Sequence, residues 1–442
     1  MPVMESILQQ NARKHFEDST RDPLVSLRLR AIDQIEKGGF PTTRQEEWRF
    51  TNVGPIVRTD FSPILKRDAR PIHGERVSRF LLAGDEAVTV VFVGGFIDES
   101  LSRIPAGLPK GVVIEPLSKR VERNDPEVLA LLGKLTPSDA SAFTALNMAF
   151  FRDGLFIDIP DGVTLDRPIQ LIHFSLPDEL PRASYPRLLV RAGEKSSLTI
   201  VEIHAAAMDG MYLSSPVTEI HLGRHATIEH NRMHDENDGA FHIGATIVRQ
   251  EESSSFISNV ISLNGSFIRN SVTALLDGEN CECTLNGLSL AGNGQLMDNH
   301  TMIVHAKPHC TSHELYKAIL DGNSHGVFSG RVMVHPDAQK TNAKQTNKTL
   351  LLSPDAVMNA KPQLEIFADD VKCTHGATVG QIDDEQLLYL RTRGIGIKEA
   401  REMLTFAFAS DVVSRIQLAP YSQKLETILQ ERLQLGNGNR HD

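Results

Sequence analysis

The middle of the chain, from about residue 85 to residue 380, almost lacks helical periodicity and alternates short β-rich runs with Gly, Asn and Asp. The clearest runs are LTIVEI (198–203), VTEIHL (217–222), TIVRQE (246–251) and GVFSGRVMVH (326–335). Hydrophobic periodicity is the main sequence signal of secondary structure, and these runs match strands. A segment of this length without a helical pattern predicts a mainly β fold.

Corner-like residues recur between these runs at an almost regular interval. They are Gly265, Gly278, Gly292, Ala306, Gly322 and Pro336, separated by 13, 14, 14, 16 and 14 residues. A repeated strand–corner–strand pattern is typical of a parallel β-helix, in which each coil pairs with the previous one. If two intervals make one coil, a coil has about 28 residues, and about ten coils would span roughly 50 Å.

A β-sandwich is the alternative that this pattern leaves open. Sandwich strands are often joined by tight hairpins, and Asn-Gly is a strong hairpin signal. The chain has two such signals, Asn264-Gly265 and Asn286-Gly287. The pattern alone therefore favours the solenoid without excluding the sandwich.

The chain before the strands has a helical pattern. Asp22-Pro23 is typical of a helix start, with proline in the first turn. Gly38-Gly39 predicts the end of the same helix. Between these signals, apolar residues recur at helical spacing: Leu24, Leu27, Ala31, Ile32 and Ile35.

The end of the chain is predicted to be helical again. Asp383 and Gln386 have the spacing of an N-cap and the third helical residue. Two apolar sets follow at helical spacing, one around Ala400–Val412 and one around Leu425–Leu433. The sequence thus divides into an N-terminal helical domain (1–84), a β-helix core (85–382) and a C-terminal helical domain (383–442). We expect the helices to cover one or both open ends of the solenoid, since open ends invite unwanted pairing.

Composition narrows the function classes. The 46 Lys and Arg against 56 Asp and Glu give a net charge of −10, which disfavours nucleic acid and anionic membranes as partners. No stretch approaches about 18 consecutive apolar residues, and residues 1–13 lack a secretory signal pattern. Four cysteines are too few for a disulfide framework, so we expect free thiols in a reducing cytoplasm. Without a GxxxxGK[ST] motif, we expect no ATPase activity and a chain that is not an enzyme.

The strongest candidate for chemistry is the pair Cys373 and His375 in VKCTHGATVG (371–380). Residues two apart in a strand point to the same face, so the thiol and the imidazole would lie side by side. Thiolate and imidazole together suit iron, zinc or copper. Two ligands do not complete a four-coordinate site, so another chain would have to supply the rest. Spacing alone leaves the alternative of a buried cysteine and a hydrogen-bonded histidine.

Three further groups are better explained by structure than by chemistry. Cys281 and Cys283 would share a strand face as small core residues. His305, His309 and His313 would share a strand face, but strand geometry puts successive members about 13 Å apart. Lys340, Lys344 and Lys348 alternate with Asn, Gln and Thr rather than with aromatic residues, which disfavours nucleic-acid binding.

The C-terminal third resembles a known family. The runs SHELYKAILDG (312–322), GVFSGRVMVHPDAQKTNAKQTNKTLLLSPDA (326–356) and AKPQLEIFADDVKCTHGATVGQID (360–383) are similar to the SufB/SufD family of iron–sulfur cluster assembly scaffold proteins. GFPTTRQEEWRFTN (39–52) resembles the family's N-terminal motif. Within the family, CTHGATVG resembles the SufD branch, because the SufB branch has an E-H-E-type version there and extra cysteines.

The resemblance implies a fold, partners and a site. The fold would be a right-handed parallel β-helix flanked by α-helical domains. SufB would pair through the C-terminal part of the β-helix, and the ABC-type ATPase SufC would dock on the C-terminal helices. No cofactor would be tightly bound; transient iron or an iron–sulfur cluster would form at the SufB interface, with His375 and Cys373 as candidate ligands and a role in iron supply. The implied SufC-docking residues are Leu387, Leu388, Leu390, Arg393, Gly394, Ile395, Met403 and Leu404.

Two rival functions remain on the sequence. A polysaccharide-active β-helix enzyme would need clustered carboxylates, but the pairs Asp369-Asp370 and Asp383-Asp384 would split to opposite faces in a strand. With one Trp and five Tyr, the chain is also poor in the aromatic platforms of such enzymes. A structural homodimer without metal chemistry would use the same fold, and we expect such a dimer for the isolated chain.

Overall fold

The computed structural model describes residues 22–68, 70–82, 87–135 and 141–435, without the side chains of residues 434 and 435. The predicted boundary between residues 84 and 85 and the predicted absence of a signal in residues 1–13 lie outside these ranges. Nine α-helices fall within the described residues. They are α1 (Val25–Gly38), α2 (Gly54–Arg58), α3 (Gly74–Ser78), α4 (Leu117–Glu122), α5 (Pro126–Leu131), α6 (Ala142–Phe150), α7 (Asp384–Thr392), α8 (Ile397–Val413) and α9 (Ala419–Leu435).

Twenty-two strands supply the rest of the regular structure in the described ranges. They are β1 (Ser62–Pro63), β2 (Val88–Val93), β3 (Phe96–Arg103), β4 (Val113–Pro116), β5 (Gly154–Ile159), β6 (Ile169–Ser175), β7 (Arg182–Ser184), β8 (Arg187–Ala192), β9 (Ser197–Ala206), β10 (Tyr212–Ser214), β11 (Val217–Leu222), β12 (Thr227–Asp235), β13 (Ala240–Gln250), β14 (Ser255–Asn264), β15 (Phe267–Leu276), β16 (Glu282–Ala291), β17 (Leu296–His305), β18 (Thr311–Leu320), β19 (His325–Val334), β20 (Asn342–Leu351), β21 (Val357–Ile366) and β22 (Lys372–Gly380). All four sequence runs that predicted strands lie on these strands, give or take one residue at an end.

The strands form a parallel β-solenoid of about eight turns, built from two sheets. Sheet 1 has the strand order β21-β19-β17-β15-β13-β11-β8-β5-β4, and sheet 2 has the order β22-β20-β18-β16-β14-β12-β9-β6-β2-β3. Consecutive strands from β11 to β22 alternate between the sheets, so each coil contributes one strand to each. This parallel pairing confirms the predicted fold class and rejects the β-sandwich.

Two details of the sequence prediction need correction. The solenoid has about eight turns rather than ten, because part of the predicted core forms the helices α4, α5 and α6 and two antiparallel strands. Asn286-Gly287 is not a hairpin, because both residues lie inside the parallel strand β16. The six corner residues chosen by spacing do all fall between strands.

The turns from sheet 1 to sheet 2 stack on one another with the same backbone conformation. One residue in each turn has a positive φ and donates its backbone N–H to a carbonyl of the next coil; these residues are Lys195, His225, Ser253, Asn280, His309 and Lys340. None of them is glycine, so each turn carries a strain that the inter-coil hydrogen bond offsets. This repeated bond keeps neighbouring coils in register.

Three apolar layers hold the chain together. The inner layer lies between the sheets and contains, for example, Phe92 and Ile200 of sheet 2 with Val190 of sheet 1. A second layer lies between the N-terminal helices and the outer face of sheet 1; Leu146 of α6 and Leu189 of β8 belong to it, and α1 packs on α6. A third packs α8 and α9 against the outer face of sheet 2. The helices therefore cover the faces of the solenoid and not its ends, contrary to the sequence expectation.

The two ends of the solenoid differ. At the first end, β3 and β4 pair antiparallel with β2 and β5 and so occupy the edges of both sheets. At the other end, β21 and β22 are the terminal strands, and no further strand of the described chain pairs with them. This uncovered end presents a row of backbone groups that can accept another strand. Among the described helices, none is long and apolar enough to cross a membrane.

Candidate functional site

Cys373 and His375 lie on β22, the terminal strand of sheet 2. Cys373 pairs in register with Ala343 of β20, and His375 pairs with Gln345. Ala343 and Gln345 are each 1% exposed and face the space between the sheets. Cys373 and His375 continue those two columns, so the predicted common face is the inner face of the solenoid, at its uncovered end.

The two side chains differ in exposure. Cys373 is half-buried and packs against an apolar cluster that includes Val332, Val334 and Ala368. The His375 side chain is exposed. Burial raises the pKa of the Cys373 thiol above its usual value of 9.0. The thiol therefore keeps its proton at neutral pH until a metal ion displaces it.

This pair can bind a soft or borderline metal ion but cannot complete its coordination. One thiolate and one imidazole supply two of about four ligands. Cys373 and His375 are not in either of the triads of potential ligand atoms found in the described chain. The arrangement suits a metal ion or a cluster that is shared with a second chain and later released.

Behind His375 the inner column contains a carboxyl group that the sequence analysis missed. Gln345 Nε2 donates a hydrogen bond of 2.7 Å to Glu314 Oε2 of β18. Burial raises the pKa of Glu314 to about 7. His375, Gln345 and Glu314 are about 30 residues apart in sequence, so only the coil period could have indicated that they are neighbours.

Large apolar side chains are exposed around the uncovered end. Phe367 is 61% exposed, Val357 50%, Val379 49% and Ile366 39%. Patches of this kind commonly mark protein interaction sites. Cys373 and His375 thus lie next to a surface with the chemistry of a protein interface.

The predicted docking residues lie on α7, α8 and the turn between them. Asp383 caps α7 as expected, since its Oδ1 accepts the N–H groups of Glu385 and Gln386. Leu387 is only 8% exposed, so it offers little surface to a partner. Among the other predicted positions, Leu388, Arg393, Gly394 and Met403 are exposed, whereas Leu390, Ile395 and Leu404 are half-buried.

Two cysteines and three lysines were expected to have structural rather than chemical roles. Cys281 and Cys283 are buried in the inner apolar layer, as expected of core residues, but only Cys283 lies on β16, since Cys281 is in the turn before it. All four cysteines are free. Lys344 and Lys348 are exposed on β20, and Lys340 forms an ion pair with Asp370 in the stacked turns.

The three histidines at four-residue spacing do not share a face, which corrects that expectation. His305 is buried at the end of β17, where its Nε2 lies 2.8 Å from Ser312 Oγ. His309 lies in the following turn, and His313 is exposed on β18 of the other sheet. The turn between β17 and β18 carries the chain from one sheet to the other, so strand alternation does not extend across it.

Comparison with known proteins identifies two matching family models. The model described as SUF system FeS cluster assembly, SufBD core domain, matches residues 174–408. The model described as SufBD protein N-terminal region matches residues 6–171. Together they cover the N-terminal helices, the solenoid, α7 and most of α8, and they end before α9.

Individual relatives match over nearly their whole length. An iron–sulfur cluster assembly SufBD family protein of Synechocystis sp. is 30% identical over 430 residues, covering 96% of this chain and 93% of the relative. The iron–sulfur cluster assembly protein SufD of Escherichia coli is 29% identical over 437 residues, covering 98% of both chains. SufD of Bacillus subtilis is 24% identical, covering 96% of this chain and 98% of the relative.

Proposed function

Since this chain belongs to the SufBD family of iron–sulfur cluster assembly proteins, we propose that it is a SufD-like scaffold subunit of the SUF system. Its role is to assemble iron–sulfur clusters at an interface with SufB, driven by the ATPase SufC, and to help supply iron. The observation that carries the proposal is the position of Cys373 and His375 on the inner face of the uncovered terminal strand. The subunit itself is not an enzyme and acts in the cytoplasm.

The uncovered end supports pairing with SufB. An open sheet edge gains hydrogen bonds when a strand of another chain is added, and the exposed apolar residues around it gain burial. Val379 lies on β22 and Phe367 lies just before that strand, close enough in sequence for the same partner to cover both. A partner seated here would also enclose Cys373 and His375.

The ligands of the nascent cluster would then come from two chains. His375 is exposed and can bind iron directly, while Cys373 can join when metal displaces its proton. SufB supplies the remaining ligands in this proposal. Iron and the cluster are cargo here, because an incomplete ligand set releases metal more readily than a closed site.

SufC is proposed to dock on α7 and α8. Leu388 is 61% exposed and Met403 45%, and Ile397 is a third exposed apolar residue in this region at 45%. The packing of α8 against the outer face of sheet 2 connects this dock to the solenoid. ATP-driven dimerisation of SufC would open the SufB interface only if SufC binds the open arrangement more tightly.

The first test follows iron in the complex reconstituted with SufB and SufC. We expect His375→Ala to lower the iron content of the assembled complex by about 10-fold or more, since it removes a metal ligand. His313→Ala is the matched control, because His313 is also exposed on a strand of sheet 2. Undiminished iron loading by the His375→Ala complex would remove His375 from the mechanism.

The second test concerns the partners themselves. An affinity-tagged full chain should co-purify SufB and SufC from the native cell. Leu388→Asp combined with Met403→Asp should remove SufC and leave SufB bound. Leu180→Asp is the control, because Leu180 is 72% exposed on a loop far from α7 in sequence. Loss of neither partner from the double variant would contradict the proposed dock.

The same preparation distinguishes the proposed function from that of a purely structural homodimer. The uncovered end that accepts SufB can also accept a second copy of this chain. In the proposal, SufB dissolves that homodimer on mixing. A homodimer that persists with excess SufB, and that carries no iron, would favour the purely structural function.

A further inference from the structure

Four aromatic rings stack inside the solenoid at one register of sheet 2. Phe92, His173, His204 and His234 occupy paired positions on β2, β6, β9 and β12. Successive ring centroids are 4.4, 4.6 and 5.4 Å apart, and the rings are nearly parallel. Ser262 of β14 occupies the next position of the column. The column faces the space between the sheets.

A further histidine reaches this column from the opposite sheet. His242 of β13 packs edge-on against His204 and His234, with ring centroids 4.7 and 4.4 Å away. The three residues are at most 2% exposed. One potential ligand atom from each lies within 4.8 Å of those of the other two. The three imidazoles therefore converge from two sheets on one enclosed space.

Each of these imidazoles has a polar neighbour near one ring nitrogen. His204 Nε2 lies 3.0 Å from Glu202 Oε1, His234 Nδ1 lies 3.3 Å from Ser262 Oγ, and His242 Nδ1 lies 2.7 Å from Glu236 Oε1. His204 Nδ1, His234 Nε2 and both ring nitrogens of His242 have no hydrogen-bond partner in the described part of the chain, since the close approach of His242 Nδ1 to Glu236 Oε1 lacks hydrogen-bond geometry. His204 and His234 therefore have the pattern of metal-binding histidines, in which an outer group orients the ring and the second nitrogen binds the ion. His242 has two nitrogens available for an ion.

The charges around the group favour a cation. Glu202 is paired with Arg232 at 2.8 Å. Glu236 accepts a hydrogen bond from the Tyr212 hydroxyl, and no Lys or Arg side chain is paired with it in the described chain. Two carboxylates and one guanidinium leave a local charge of about −1 for a divalent ion to balance.

We propose that His204, His234 and His242 bind one divalent first-row transition-metal ion inside the solenoid. Imidazole ligands suit zinc and iron(II), and a neighbouring carboxylate or water can complete the coordination. The site is distinct from Cys373 and His375, because six strand spacings, about 29 Å, separate β9 from β22. The inference does not depend on the proposed function.

The alternative is that the rings only fill the core. Packing alone needs no nitrogen atoms, and buried polar atoms without partners reduce stability. The outer carboxylates would add to that cost if no cation were bound. Metal content therefore distinguishes the two explanations, provided that binding elsewhere on the chain is removed.

The test uses the full chain with Cys373→Ala and His375→Ala, so that the outer pair cannot contribute metal. Because the site is enclosed, the metal is supplied during synthesis by growing cells with cobalt(II), and the purified protein is washed with a chelator. We expect about one cobalt ion per chain, with the absorption of a tetrahedral nitrogen and oxygen site. Absence of a thiolate charge-transfer band excludes the buried cysteines as ligands.

Substitution then assigns the ligands. His234→Gln in the same background should lower retained cobalt about 10-fold or more. His305→Gln is the matched control, a buried histidine outside the cluster. If circular dichroism shows that His234→Gln does not fold, His204→Asn provides a second variant. Equal cobalt in His234→Gln and His305→Gln, or no cobalt retained by the parent chain, would overturn the proposal and leave the His375 proposal untouched.

Discussion

Glu314 allows a direct test of how much a charged carboxylate destabilises the solenoid interior. Its side chain is 3% exposed, and its carboxylate oxygen Oε2 accepts one hydrogen bond from Gln345. Burial raises its pKa from the ordinary value of 4.5 to about 7. The perturbation is Glu314→Gln, which keeps the shape and the acceptor for Gln345 and removes the titration.

The direction in which stability changes with pH depends on whether the folded or the unfolded chain holds the Glu314 proton. Between pH 4.5 and 7 the unfolded chain has lost the Glu314 proton while the folded chain keeps it, so stability falls as the pH rises through this range. At about 1.4 kcal/mol per pH unit, the shift corresponds to a loss of about 3 kcal/mol above pH 7. Glu314→Gln has no carboxyl proton to lose, so its stability does not fall for this reason. Relative to the parent chain, Glu314→Gln should therefore gain about 3 kcal/mol between pH 4.5 and pH 8.

The assay is urea unfolding of both proteins at several pH values, followed by the fluorescence of Trp48, the single tryptophan. Trp48 is 7% exposed and lies 3.7 Å below the guanidinium of Arg269 on β15, so its emission reports loss of the solenoid face. The difference between the two proteins cancels every other titrating group. A difference in unfolding free energy that is the same at pH 5 and pH 8 would refute the reasoning.

Three further substitutions test packing, the inter-coil hydrogen bonds and capping. Gly287→Ala would place a methyl group 2.2 Å from ring carbons of Tyr316 and should lower the free energy of unfolding by about 1–3 kcal/mol. Gly380→Ala is the control, because Gly380 has open space around it, and it should lower that free energy much less. Urea unfolding measures both. Asn259→Ala breaks two buried amide hydrogen bonds of 2.9 Å to the coils on either side, and we expect a loss of about 2 kcal/mol in the same assay. Asp383→Ala removes the α7 cap and should lower the local stability of α7 by about 1 kcal/mol, which would appear as faster amide hydrogen exchange in α7 alone. Unchanged exchange in α7 would contradict the capping role.

The fold could be predicted because its signals are local and repeated. Strand runs such as 217–222 were located to the residue, and the six corner residues all lie in turns. Each coil repeats the same strand and turn chemistry, so an error in one coil did not disturb the next. The number of turns was overestimated because α4, α5 and α6 interrupt the strands without an obvious sequence break.

The candidate site could be predicted only in part. The spacing of Cys373 and His375 showed that they share a face, since strand alternation is a local property. Spacing could not show which face it is, because that depends on the packing of β22 against β20. It also could not show that Leu387 is buried while Leu388 is exposed, since the rotation of α7 is decided by its packing against α8.

Sequence by itself determined the strand runs, the corners, the Asp383 cap and the short-range spacing of Cys373 and His375, because each depends on residues within a few positions of one another. The start of α1 was predicted two residues too early, since Asp22-Pro23 precede a helix that begins at Val25. The tertiary structure decided which end of the solenoid is open and which distant residues meet inside it. His204, His234 and His242 converge only because the coils repeat at about 30 residues and the two sheets face each other. Contacts between coils depend on register, and register is set by hydrogen bonds and packing along the whole stack.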